Sequence, residues 1–259
     1  MRGPALVLAC LLAAAIAAPA LAPYAPDQID LARLREPPSA AHWCGTDDLG
    51  RDVLARILYG ARVSLAVGLL SALVAGATGV AVGGVAGYAG GALDAALMRG
   101  TDAMLAVPRL PLLMIAGALL QPSVPLLVVL IGFAGWMETA RVVRAEFLSL
   151  VPSGFVESAR AAGAGHARVI LRHLLPNAAQ AVMVSVTLAV ARGILLESAL
   201  SFFGVGVRPP AASWGNMLYQ AQATMASEPW LAIAPGVFIL LTTASVNLAG
   251  ERLVSRPRA

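Results

Sequence analysis

Three ionisable residues interrupt otherwise apolar stretches of this sequence: Arg109, Arg192 and Glu197. An ionised group inside a bilayer is costly, so such residues face a protein interior or a water-filled path and mark ion or solute routes. Arg192 and Glu197 are five residues apart, an imperfect spacing for a pair on one helix face. Glu197 suits either the wall of a polar pathway or a buried hydrogen bond to a neighbouring helix. Arg109, between Pro108 and Pro111, suits a helix break or a side chain that snorkels to the interface. Other chemistry is harder to assemble. His42, His166 and His173 lack metal-ligand spacing, and none lies in an apolar run. Cys10 and Cys44 form no CxxC, and Cys10 sits in an apolar run, which argues against a disulfide between them. Neither GxSxG nor HExxH occurs. Gly204-x-Gly206 follows an apolar run rather than a strand, so it is a loop signal and not a phosphate cradle. The chain is expected to hydrolyse no ATP and to need no metal or cofactor.

The elements that hold these residues follow from composition. The 259 residues are 59% hydrophobic and only 12% charged, with a mean hydropathy of +0.79. Soluble domains are about 45–50% apolar and about 25% charged, so the expectation is an all-α polytopic membrane protein. The blocks are long and Leu/Ala/Val-rich, unlike the short alternating strands of a barrel. All 18 basic residues are Arg and the pI is about 9.7. They are scattered between apolar blocks, and aromatics make up only 5%. Loop charges that set orientation against membrane lipid explain them better than nucleic acid does.

Six blocks approach the roughly 20 residues a spanning helix needs: Ala5–Ala22, Val63–Tyr88, Thr101–Leu120 with Pro108 and Pro111 inside, Val124–Thr139, Ala178–Phe203 and Trp230–Ala249. Segment 140–177 carries five Arg against two Glu, and segment 251–259 is also basic. These place both termini (residues 1–4 and 251–259) and the 140–177 loop in the cytoplasm, with 23–62 and 204–229 external. Five Arg in 23–62 pull mildly the other way. The first block also reads as a signal peptide ending in Ala20-Leu21-Ala22; its length and the following Pro23 favour a retained span. In the second block Gly79, Gly83, Gly87 and Gly91 recur every four residues, a ridge of small residues on which another helix backbone can pack.

Segment 140–177 has the most structure of its own. Pro152 and Ser153 open a short helix, with Ser153 as N-cap. Gly163 or Gly165 ends it in a left-handed turn. A second short helix runs to about Leu175, and Pro176 is expected to restart the chain into the fifth span. The pattern predicts two short amphipathic helices at the inner membrane face. Their residue order resembles the EAA signature of binding-protein-dependent ABC importer permeases. That signature is EAA, three residues, Gly, nine residues, Ile, any residue, Leu-Pro. Here it reads Glu157-Ser158-Ala159, Gly163, then His173 and Leu175-Pro176. Ser158 and His173 depart from it, while Glu157, Gly163 and Leu175-Pro176 keep register over 20 residues.

Other stretches resemble the C-type permease subunits of the dipeptide/oligopeptide/nickel group. They are Gly45-Thr46-Asp47-Asp48-Leu49-Gly50-Arg51-Asp52, Tyr59–Leu65, Ala86–Gly91 with Asp94 and Asp102, and Ser201–Val207 with Ser213–Met217. The resemblance covers about residues 42–252. It implies the type I ABC importer permease fold, with a transmembrane domain over 63–250. It also implies a second homologous permease subunit, two cytoplasmic ATPase subunits and an external solute-binding protein. Glu157, Ala159, Gly163, Leu175 and Pro176 would then form the ATPase-coupling element, and the solute would be a peptide or a related small solute, nickel included. The rival reading is a secondary transporter coupled to an ion gradient, which would use Arg109, Arg192 and Glu197 directly. No inverted repeat supports it.

Overall fold

The computed structural model describes residues 3–121 and 123–254, and among these residues its regular secondary structure is helical apart from one isolated bridge between Thr46 and Asp52. The helices are α1 (Gly3–Ile16), α2 (Ala18–Leu21), α3 (Val53–Ala89), α4 (Gly91–Ala106), α5 (Arg109–Leu120), α6 (Val124–Phe133), α7 (Trp136–Leu150), α8 (Gly154–Ala161), α9 (His166–Phe202), α10 (Trp214–Ala221) and α11 (Trp230–Val254). Among the described residues three helices, α3, α9 and α11, are long and apolar enough to cross a membrane; α4 with α5 and α6 with α7 form two bent pairs that raise the number to five where each pair counts as one span.

Several expected boundaries move. The first block is not one helix of spanning length. It is the 14-residue α1, then a single turn, α2, restarted at Pro19, whose ring removes a backbone donor. The second block begins ten residues earlier than expected, within the segment assigned as external. Asp52 caps α3 by accepting the Ala55 N–H at 2.7 Å. Hydropathy hid these first ten residues because Arg56 and Arg62 lie in them. Arg56 is nevertheless buried, with its guanidinium 3.4 Å from Asp47 and 3.3 Å from Gln220. The third block bends by 77° at Val107-Pro108, and the fourth bends by 43° at Ala134-Gly135. Beyond the second bend α7 runs to Leu150, so the first eleven residues of the 140–177 loop are helix rather than connection.

The central element is α3, against which α6, α7 and α9 pack. The four-residue glycine ridge makes the α7 contact possible. A Cβ on Gly79 would lie 2.6 Å from the Thr139 Cβ, one on Gly87 2.7 Å from the Phe147 Cβ, and one on Gly83 against the Ala140 backbone. Only hydrogen fits there, so the two backbones approach closely. Gly91 differs: it opens α4 at φ +56° with nothing near its Cβ position. Outside the bundle, residues 23–52 and 204–229 fold over one end of α3 and α11. Asp47 organises this layer. It accepts the backbone N–H groups of Leu49 and Arg51, both at 2.9 Å, and pairs with the Arg51 Nε at 2.7 Å. Below it the fully buried Trp214 donates its indole N–H to the Ile57 carbonyl at 3.1 Å.

Candidate functional site

The opposite end of the bundle carries α8. Its N-cap position is Ser153, as expected, but the hydroxyl donates back to the Leu150 carbonyl rather than capping α8. The helix ends on Gly163 at φ +81°. The Gly163 N–H reaches the Arg160 carbonyl at 2.9 Å and the Ala164 N–H reaches the Ala159 carbonyl at 3.0 Å. These two bonds make a Schellman turn, which requires the left-handed conformation glycine adopts without strain. Ala159 and Gly163 are therefore two parts of one cap. Val156 lies on the inner face, buried with Val143, Phe147, Val169 and Leu174, and fixes α8 to the bundle. Glu157 and Gly163 lie on the outer face, exposed.

Pro176 falls in the first turn of the α-helical stretch Leu175–Phe202, as expected, but that stretch is not a fresh start. From His166 to Phe202 the helix is continuous, and residues Val169–Leu174 take the wider π form. The Leu175 N–H bonds five residues back, to Ile170. A proline inside a helix lacks a donor and crowds the carbonyl four residues before it; widening the turn just ahead of Pro176 relieves that conflict. Leu175 and Pro176 thus lie in the first turns of a long rigid helix, not in a hinge. His166 starts that helix and accepts or donates a bond with the Tyr88 hydroxyl at 2.7 Å, and the Arg160 guanidinium lies 5.3 Å from the Tyr88 ring centroid. This contact ties both ends of the loop to the end of α3. Sequence reasoning assigned His166 no role; the signal was Tyr88 in the Ala86–Gly91 stretch.

The three intramembrane charges separate into two sites. Glu197 is fully buried on α9 and accepts the Ser64 hydroxyl at 2.9 Å and the Ser201 hydroxyl at 2.7 Å. Ser64 in turn accepts the Trp214 backbone N–H at 3.2 Å. This network joins α3, α9 and α10. Arg192 does not pair with Glu197. It pairs with Glu138 on α7, whose other oxygen accepts the Arg109 Nη2 at 2.7 Å. Glu138 was missed because it is the last residue but one of the expected fourth block and read as its edge. Two arginines inside spans with no carboxylate beside them were the available signal. Two further pairs fasten α4 to α7: Arg144 grips Asp94 with two bonds of 2.5 and 2.6 Å, and Arg141 reaches Asp102 at 2.5 Å.

Comparison with known proteins agrees with this architecture. The dipeptide transport system permease protein DppC of Bacillus subtilis is 39% identical over 248 residues, covering 95% of this chain and 78% of its own. The glutathione transport system permease protein GsiD of Pectobacterium atrosepticum is 38% identical over 244 residues, covering 94% and 81%. Among solved structures, the inward-facing MetNI methionine ABC transporter matches with a TM-score of 0.64 at 20% identity, over 78% of this chain and 95% of its own. That likeness gives the type I permease fold. The profile of the binding-protein-dependent transport system inner membrane component matches residues 79–259. These matches support an importer permease over an ion-coupled transporter. The chain belongs to the family of binding-protein-dependent transport system inner membrane components, as a multi-pass permease subunit that carries solute rather than catalysing a reaction.

Proposed function

We propose that this chain forms, with a second homologous permease subunit, the membrane pathway for peptides or a related small solute. Two cytoplasmic ATPase subunits drive it and an external solute-binding protein loads it. In this reading both termini and α8 face the cytoplasm, and residues 23–52 and 204–229 face the binding protein. The ATPase seats on α8 through Glu157, Ala159 and Gly163, and Leu175 and Pro176, inside α9, pass its movement along that helix. The observation that carries this is the α8 turn: apolar on the inner face, capped by Gly163, and exposed on the outer face where the EAA residues lie. A packed, rigid element of this kind transmits a push as a discrete shift rather than absorbing it. The relatives named for dipeptide and glutathione transport support a peptide-class solute.

The test is isolation of the tagged chain from its native membranes. The expected result is co-purification of a second permease and two ATPase subunits, with ATP hydrolysis that disappears when the ATPases are stripped away. A chain that purifies alone and still drives solute uptake in vesicles under an ion gradient overturns the reading.

A further inference from the structure

The Arg109–Glu138–Arg192 cluster lies at the level where α5 and α7 begin after their bends. Its depth follows from α9. A Cβ on Gly193, the residue after Arg192, would meet the Ser71 hydroxyl, and Ser71 is the midpoint of the 37-residue α3. The cluster therefore lies beside the middle of α3, the helix on which the bundle packs. Unlike Glu197, it is not sealed. The side chains of Arg109, Glu138 and Arg192 are 22%, 35% and 39% exposed, on one face of the chain. Charges at mid-depth are not left against lipid tails; they face protein or a water-filled cavity. The cluster also has an excess of one positive charge: a single carboxylate serves two guanidiniums, one oxygen to each.

We infer that Arg109, Glu138 and Arg192 form an anion-accepting station on the water-filled face of the translocation path, where a solute's free carboxylate replaces Glu138 as partner of one arginine. The inference rests on the importer reading above and adds to it the chemical class of the cargo: a solute bearing a carboxylate, such as a peptide with a free C-terminus. A guanidinium suits this exchange because its planar fork accepts a carboxylate with two parallel bonds and stays charged throughout. While one arginine holds the solute, the other keeps Glu138 paired, so no buried charge is left alone.

The test needs no identified solute. Cys10 and Cys44 are first changed to Ser in the intact transporter complex. A single reporter cysteine is then placed three residues after Arg192 or three residues after Arg109, as Leu195→Cys or Leu112→Cys; both positions are exposed, on the same helices as the two arginines. Membrane vesicles carrying each reporter are treated with an anionic methanethiosulfonate reagent (ethylsulfonate) and a cationic one (ethyltrimethylammonium). The expected result is labelling by both, with the anionic reagent favoured on the order of tenfold after correction for its rate with free thiol. Adding Arg192→Gln should erase the preference, and adding Glu138→Gln should increase it. No labelling by either reagent overturns the inference, because the face is then dry. Equal labelling, or a preference that survives Arg192→Gln while Glu138→Gln has no effect, overturns it as well. Co-purification of the ATPases is scored on the same vesicles. If they remain bound while the labelling fails, only this inference falls; if they are absent, the importer reading fails first.

Discussion

Replacing Gly163 separates two ways in which a coupling turn can depend on glycine. The position has φ +81° and, within the chain, no atom within 4 Å of an added Cβ. A substitution there meets no clash of its own; what it meets first is backbone strain. Alanine in a left-handed turn costs about 1–2 kcal/mol, and valine about 1–3 kcal/mol. Asparagine tolerates the same conformation and costs less. If the ATPase recognises α8 only with its Schellman cap closed, the strain is paid on binding. A cost of about 2 kcal/mol then weakens ATPase affinity about thirtyfold. Gly163→Val should bind least, Gly163→Ala better, and Gly163→Asn close to wild type. If the ATPase backbone approaches too closely for any side chain, the order changes: asparagine fails with valine, and alanine is best tolerated. The assay is titration of ATPase subunits onto the permease pair in lipid nanodiscs, with membrane abundance measured in parallel. Gly91→Ala is the control, because Gly91 has φ +56° and equally empty surroundings on another turn. Wild-type affinity and transport for Gly163→Val would refute the coupling role of this turn altogether.

Three further outcomes are expected. Glu197→Ala removes the acceptor of the Ser64 and Ser201 hydroxyl protons in the core and should lower stability by about 2–4 kcal/mol, seen as reduced membrane abundance with uptake falling in proportion; lost uptake at full abundance would mean a pathway role instead. Gly83→Leu drives a side chain into the Ala140 backbone and should cost about 3 kcal/mol or more by thermal unfolding, whereas Gly100→Leu, with open space around it, should cost far less. For orientation, Arg160→Cys should be shielded from an impermeant external thiol reagent and Arg208→Cys should react. Arg208 suits an external reporter because it is exposed. Burial beside Asp52 pushes the native Cys44 thiol up, which keeps its background labelling low.

What the sequence made legible was what depends on local order. The α8 cap could be read because a helix, a glycine and a fixed spacing are all short-range. The glycine ridge could be read because i, i+4 repeats fall on one helix face. The bends and the true start of α3 could not be read by hydropathy alone. Arg56 and Asp52 look like the edge of a loop until tertiary partners such as Asp47 and Gln220 neutralise and bury them. The division of the intramembrane charges was hidden for the same reason. Arg192 and Glu197 share a helix, yet each finds its partner on another, Glu138 on α7 and Ser64 on α3. Pro176 marked where the α-helical stretch begins, but the π turn that joins it unbroken to His166 was not visible in residue types.

The unbroken run from His166 to Phe202 also places a constraint of phase on this protein. Both ends of that helix are keyed to fixed surroundings: His166 to Tyr88 at one end, Glu197 to Ser64 at the other. Each residue turns a helix by about 100° and lengthens it by about 1.5 Å. Removing one residue between the two ends would therefore rotate one set of contacts away from its partners, however conservative the chemistry. A seven-residue change would come within about 20° of the original angle but would miss in height. Substitution can be tolerated along this rod; a change in its length would put its two ends out of step.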